Sequence, residues 1–386
     1  MNSTGDMAGA AFLMLAVIAT AAAVQRFNAF YRRELADSGG RELPLDGLRG
    51  MAALMVVIHH GFLFRGWLMN DVWGTAESGV LQLLGPAGVI IFFMLTGCLF
   101  WGKARTMKGK LNVWKLWRGR LYRIAPLYFF SVLAVLLVAV LQTGGQWLSP
   151  ENWKPLLRLA VLGAVKWRFI GDLDIGSYNA HVVWTLWYEW RFYFILPFIA
   201  WFAVGRRIVM LALALYLMGF TGILYNPEAQ LGLVFGFGMV CPLLLENQKL
   251  RVRLQHPVTG LATLVLPVIL CAWNHWSRST LPLAGALFPL FLAAAAGNSF
   301  FGFLTHPAVR CLGAISFSVY LLHGVVFHLV AGTLKAAGLT ALPQSEYWLI
   351  ITLAALATIG LCAATYRWIE FPFLSSSHKV KTGKAV

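Results

Sequence analysis

Apolar residues run nearly unbroken over about 7–24, 48–67, 79–100, 124–142, 191–204, 208–224, 229–246, 258–274, 280–299, 314–333 and 347–369. Most of these runs approach the length at which an α-helix crosses a hydrocarbon layer about 30 Å thick. The pattern therefore predicts an all-α polytopic membrane protein with eleven spans. The longest connection is 143–190, and within it 155–170 predicts a helix lying at the membrane surface or partly buried. No inverted repeat of the kind many transporters carry is visible in the order of the runs.

The loops between the runs alternate in charge, and that alternation sets an orientation. Residues 101–123 carry Lys103, Arg105, Lys108, Lys110, Lys115, Arg118, Arg120 and Arg123 with no acidic residue. Arg206 and Arg207, then Lys249, Arg251 and Arg253, then Arg310, and finally Lys379, Lys381 and Lys384 fall on the same side. By the positive-inside rule that side is cytoplasmic. The loop around Asp71 and Glu77 and the turn Tyr225-Asn226-Pro227-Glu228 lie outside, as does 143–190 despite Lys154, Arg158, Lys166 and Arg168; Arg278 and Lys335 sit singly in other outside loops. Asp6 precedes the first run and Arg26, Arg32 and Arg33 follow it, the reverse of a secretory signal, so it reads as a retained helix with its N-terminus outside. The C-terminus is then cytoplasmic. The chain divides into an N-terminal helix with a basic linker (1–45), a membrane domain (46–373) and a basic tail (374–386).

Composition agrees with this reading. Of 386 residues, 59% are hydrophobic and 12% charged, about half the charge of an ordinary soluble domain. The net charge of +16 lies mainly in short loops, where it reports orientation, and argues against a nucleic-acid partner. Five cysteines, odd in number and without metal-ligand spacing, support neither a disulfide framework nor a metal site.

Five stretches depart from plain membrane helix. In the first, Asp46-Gly47-Leu48-Arg49 leads into an apolar run containing His59 and His60. Eleven steps from Arg49 to His60 make about three turns and roughly 16 Å, so the two share a face and His60 lies near the membrane's middle, whereas His59 is turned away. An ionisable group at that depth marks a functional site or a histidine satisfied by a neighbouring helix. In the second, Thr96 and Gly97 allow close helix contact, which packing alone also explains. The third sets Arg118, Arg120 and Arg123 before Ile124-Ala125-Pro126-Leu127-Tyr128; these arginines suit membrane anchoring and the phosphates of a cytoplasmic anion equally. The fourth is Trp184-Thr185-Leu186-Trp187-Tyr188-Glu189-Trp190-Arg191-Phe192-Tyr193, entering a helix from the outer side. Thr185, Glu189 and Tyr193 recur every four residues on one face. Trp184, Trp187, Tyr188 and Trp190 offer rings to a sugar or form an interfacial belt, with Glu189 then paired to Arg191. The fifth joins Ser316 to His323 and Tyr366 to Phe373; His323 falls midway along its run, lining the cavity of His60 or serving as a structural histidine, and Glu370 pairs with cytoplasmic arginines.

Taken together the five resemble the acyltransferase-3 family of integral-membrane acyltransferases. Arg49, ten residues and His60 match its arginine–histidine signature. Phe92-Phe93-Met94-Leu95-Thr96-Gly97-Cys98-Leu99 is similar to its FFxLSGFL stretch, Arg123 to Tyr128 to RIxPLY, Trp184 to Glu189 with Phe192-Tyr193 to WSLxxE with FY, and Tyr320 to His323 and Arg367 to Pro372 to its closing pair. The resemblance implies a ten-helix core, with the N-terminal helix extra. It also implies acyl-CoA, most simply acetyl-CoA, as co-substrate and no bound cofactor. The expected activity is transfer to a hydroxyl of an extracytoplasmic glycan from a bacterial cytoplasmic membrane. His60 is the expected general base, or carrier of a transient acyl group, with Glu189 and Arg49 beside it. Arg118, Arg120 and Arg123 are expected to hold the donor, and Asp46, Thr96, Thr185, Tyr193 and His323 to support the site. The rival reading is a transporter or flippase for a sugar or lipid-linked sugar, which would also place charges at mid-membrane.

Overall fold

The computed structural model describes residues 3–36, 43–70, 73, 79–205, 227–272 and 280–375. The helices are α1 (Ser3–Phe27), α2 (Ala29–Ala36), α3 (Leu43–Asn70), α4 (Gly79–Thr106), α5 (Val113–Thr143), α6 (Trp153–Leu159), α7 (Trp184–Ile199), α8 (Pro227–Leu244), α9 (Gln248–Gln255), α10 (Pro257–Ala272), α11 (Thr280–Ala296), α12 (Pro307–Ala336) and α13 (Gln344–Thr365). Asn112 caps α5 by accepting from the Lys115 N–H, and Gly144, at a left-handed φ of 69°, ends it.

Six of these helices are long and apolar enough to cross a membrane, and α8 with α9, bent by 108°, would make a seventh. The eleven-span expectation is thus met in kind and not in number among the described residues. The expected span 208–224 lies outside them, as do Arg206, Arg207, Arg278, the Asp71 and Glu77 loop and the C-terminal lysines. The expected run 191–204 starts earlier, at Trp184, and breaks into a 3-10 turn over Ala200–Ala203. In place of a surface helix over 155–170 there is the seven-residue α6, followed by a two-stranded hairpin pairing Phe169 with Asp174. Gly163, Gly171 and Leu162 all take positive φ there, which a continuous helix does not permit.

Helix α3 is the hub, packed most extensively on α12 and α4. Its backbone touches that of α12: a Cβ on Gly313 would lie 2.0 Å from the Asp46 carbonyl oxygen, and one on Gly50 would lie 2.6 Å from that of Val309. Small residues at such crossings bring helices together where hydrophobicity alone cannot, because lipid is as apolar as leucine. Helix α1 is fastened to this bundle by a buried ion pair, Arg65 to Asp6 at 2.9 Å, with the Trp348 indole N–H also donating to Asp6. At its other end Tyr31 of α2 donates to the Ala363 carbonyl, just before the π-helical turn Tyr366–Glu370.

Candidate functional site

Helices α3, α4, α5, α7 and α12 surround a cavity of about 470 Å³ at the end of the bundle that carries the basic loops. Arg49, Lys103, Arg120, Arg123 and Arg310 line it against two carboxylates, Asp46 and Glu189. Such an excess of cations in a partly apolar chamber favours an anionic ligand of small-molecule size. Several of these side chains are aimed by a neighbour. Arg49 donates to Asp46 one turn before it (3.2 Å), Arg123 reaches the buried Glu370 (3.3 Å), and Ser318 donates to Glu370 from the other side. Arg120 lies over the Phe100 ring (4.8 Å), and the Tyr193 hydroxyl donates to Glu189 (2.8 Å). Arg310, 8% exposed, keeps Nε and one terminal nitrogen buried without a hydrogen-bond partner, donors that an anion in the cavity would satisfy. A second cavity, of about 630 Å³ and lined by Arg105, Lys108 and Arg251 among others, adjoins the first through Leu99 and Lys103.

Deeper than this cavity stands a histidine pair. His60 of α3 and His323 of α12 meet with Nδ1 and Nε2 at 2.9 Å, and His323 Nδ1 lies 2.8 Å from the Val319 carbonyl. A carbonyl oxygen only accepts, so His323 carries its proton on Nδ1 and presents Nε2 as an acceptor. With both rings neutral, His60 must then donate from Nδ1, which leaves its Nε2 with a free lone pair. The arrangement is that of a base oriented by a second group, with a histidine where a carboxylate is often found. His323 is fully buried while His60 is partly exposed. Tyr320, one turn before His323, joins the pair to the cavity: its hydroxyl lies 2.9 Å from that of Thr185, and both residues line the chamber.

An anion chamber next to an oriented base suits many chemistries, and comparison with known proteins narrows the choice. A family model described as an acyltransferase domain matches residues 43–367, most of the chain. The protein belongs to the acyltransferase-3 family. No curated protein and no solved structure matches it.

Within this acyltransferase the residues singled out from the sequence fall into separate groups. Asp46, Arg49, Thr96, Arg120, Arg123, Thr185, Glu189 and Tyr193 all line the cavity, whereas Arg118 is exposed away from it. Glu189, expected beside His60, hydrogen-bonds Tyr193 instead, and His60 pairs with His323. The reason is the early start of α7: Thr185 and Glu189 face the basic end, so the helix carries its carboxylate toward the arginines. Arg191 leaves Glu189 alone and lies over the Trp187 ring at 4.0 Å. None of Trp184, Trp187, Tyr188 and Trp190 lines the chamber; Trp190 donates to the Leu162 carbonyl and Trp184 packs edge-on against Tyr188. His59 lies 2.9 Å from the Leu81 carbonyl and against Gly85, in the α3–α4 contact. Among the cavity residues that the sequence did not single out are Arg310 and Leu35. Arg310 was visible only as one more basic loop residue, yet it lies near the start of α12, the helix that carries His323. Leu35 comes from α2, outside the family match.

Proposed function

We propose that the protein is an acyl-CoA-dependent O-acyltransferase of a bacterial cytoplasmic membrane. It moves an acyl group, most simply acetyl, to a hydroxyl of an extracytoplasmic glycan. The observation that carries this reading is the 2.9 Å contact of His60 Nδ1 with His323 Nε2, which leaves His60 Nε2 available as a base next to the anion chamber of the basic end. The basic end is cytoplasmic by the positive-inside rule, which is where acyl-CoA is found. Arg310, Arg49, Arg120 and Arg123 hold its phosphates, and the adjoining basic cavity offers room for the nucleotide.

In the reaction the acceptor hydroxyl gives its proton to His60 Nε2 as its oxygen attacks the thioester carbonyl. The new C–O bond forms, the C–S bond breaks, and the departing thiolate takes the proton back from His60. The acyl group has then crossed the membrane without CoA crossing. Glu189 serves the donor side through Tyr193, and Thr185 and Tyr320 bridge chamber and base.

The test uses purified full-length protein in sealed vesicles of known orientation, with labelled acetyl-CoA on one side and surface glycan extracted from the source cells on the other. Release of CoA that depends on the glycan, with label ending on the glycan, is expected. Glycan movement without CoA release would instead establish a transporter.

A further inference from the structure

At the end opposite the chamber a short loop carries polar groups that the reading above leaves unused. After the hairpin, residues Ile175–Asn179 make a 3-10 turn, and Ala180 and His181 follow with φ of 56° and 57°. Two consecutive non-glycine residues in the left-handed region are costly and persist where the surroundings enforce them. Here the enforcement is visible. Gly324, the residue after His323, receives the loop backbone so closely that a Cβ would stand 2.3 Å from the Asn179 carbonyl carbon. Tyr178 stacks on His328 one turn further along α12, with centroids 3.9 Å apart. The loop is thus seated on the helix that holds the histidine pair.

What this seating presents is His181. Its ring packs edge-on against Trp73 (5.2 Å between centroids), and the same indole faces His60 at 6.3 Å. His181 Nε2 lies 3.7 Å from Asp174 Oδ2, too far for a hydrogen bond, while Arg168 holds that oxygen with two donors at 3.0 and 2.9 Å. Asp174 Oδ1 is buried with no hydrogen-bond partner, and so is the side-chain oxygen of Asn179, itself 2% exposed. Buried acceptors left empty are expensive, and both want a donor. A hydroxyl is the group that fits: it donates to a carboxylate or amide oxygen and accepts from a ring N–H at once. An indole face beside such groups is the usual platform for a sugar ring.

We infer that His181, beside Asp174 and across the Trp73 indole from His60, is a positioning residue that holds the hydroxylated acceptor in line with the base. This rests on the acyltransferase reading above and adds the acceptor's place within it. It also relocates the aromatic platform from the α7 tryptophans to Trp73. Gly176 supports the assignment, because a Cβ there would lie 2.8 Å from His181 Nδ1 and displace the ring.

The test is steady-state kinetics of the full-length protein with labelled acetyl-CoA, varying extracted surface glycan as the acceptor, together with direct titration of acetyl-CoA binding. His181→Asn tolerates the left-handed backbone. It should raise the glycan KM at least about tenfold, the loss of one or two hydrogen bonds to a buried polar partner. The acetyl-CoA KM and binding should stay within about twofold by the same reasoning, since no donor contact changes. Asp174→Asn and Gly176→Ala, which keep the histidine, should show the same split to a smaller degree. Unchanged glycan KM, or a fall in kcat with both KM values unmoved, would overturn the assignment. If His181→Asn also loses acetyl-CoA binding, the Asp174 and Gly176 variants decide by the same two KM values. Absence of any CoA release from the unaltered protein would instead strike the acyltransferase reading.

Discussion

The two ends of the bundle solve opposite problems, and arginine, carboxylate and aromatic side chains are common to both. At the basic end, arginines, carboxylates, aromatics and hydroxyls are spread around an open chamber, and Arg310 keeps unsatisfied donors. At the other end Arg168, Asp174, His181 and Trp73 are drawn together by a strained loop, and the unsatisfied atoms include acceptors on Asp174 and Asn179. One end offers donors to an anion and the other offers acceptors to a hydroxyl. The His60–His323 pair lies between them, where the proposed reaction would hand over a proton and an acyl group.

The most severe way to break this contrast is at its middle. His60→Ala should lower kcat by about a thousandfold, within the range for loss of a general base, while acetyl-CoA binding persists. His323→Ala should cost less, about ten- to a hundredfold, because His60 keeps its ring and loses only the acceptor that fixes its tautomer. Both are read from single-turnover rates. His59→Ala should leave the rate within about threefold and act on stability through the Leu81 contact. Equal losses in His59 and His60 variants would remove the distinction drawn from their partners.

Next in size is the donor end. Arg310→Ala should raise the acetyl-CoA KM by about ten- to a hundredfold, the worth of one or two charge-assisted hydrogen bonds, and leave the glycan KM alone. Arg118→Ala, removing an exposed side chain outside the chamber, should change either KM by less than about twofold. The reverse ranking would mean that the loop arginines, rather than the chamber, meet the donor.

How much of this was legible in the residues follows from which interactions are local. The span of α3 and the shared face of Arg49 and His60 come from helical periodicity, and the structure sets both on one helix, with Arg49 in the chamber and His60 above it. His323 was legible as one of two readings, lining the cavity of His60 or a structural histidine, and the structure sets it against His60. The pairing itself did not follow, because His323 arrives from a helix 263 residues away and the contact depends on the crossing at Gly50 and Gly313. Glu189 was legible as part of one helical face with Thr185 and Tyr193 and misplaced in depth, since nothing in an apolar run says where along the membrane normal a half-length helix begins. His181 gave no signal at all. It sits in a connection whose hairpin, turn and two left-handed residues have no periodic pattern, and its meaning comes from Trp73 and Gly324.

A moderate effect is expected from the extra N-terminal helix. Asp6→Ala would leave Arg65 buried without its carboxylate, a loss of about 3–5 kcal/mol for a fully buried pair. The lesion lies five residues beyond His60 on α3, on the side away from the chamber. The thermal midpoint should fall and the glycan KM rise before the acetyl-CoA KM moves. An equal change in both constants would show that the two ends do not respond independently.

The smallest effect separates the ends by pH. Burial and the neighbouring Arg168 guanidinium push the His181 ring below its ordinary value, and Asp174 opposes them without reversing the direction. The sign then follows from linkage: a base whose folded value lies below its unfolded one, near 6.5, contributes its full stability above that pH and loses it as pH falls toward the folded value. Protonation should therefore loosen the 174–183 loop below about pH 6, as the ring seeks water. Hydrogen exchange followed by mass spectrometry reads this directly. Peptides covering 174–183 should exchange faster at pH 5 than predicted from the intrinsic rate at pH 7.5, while those covering Leu45–Met55 beside the chamber keep their protection. In His181→Asn the loop should lose that pH dependence. Parallel loosening of the chamber peptides, or a loop whose pH response survives the substitution, would assign the acid sensitivity to a group other than His181.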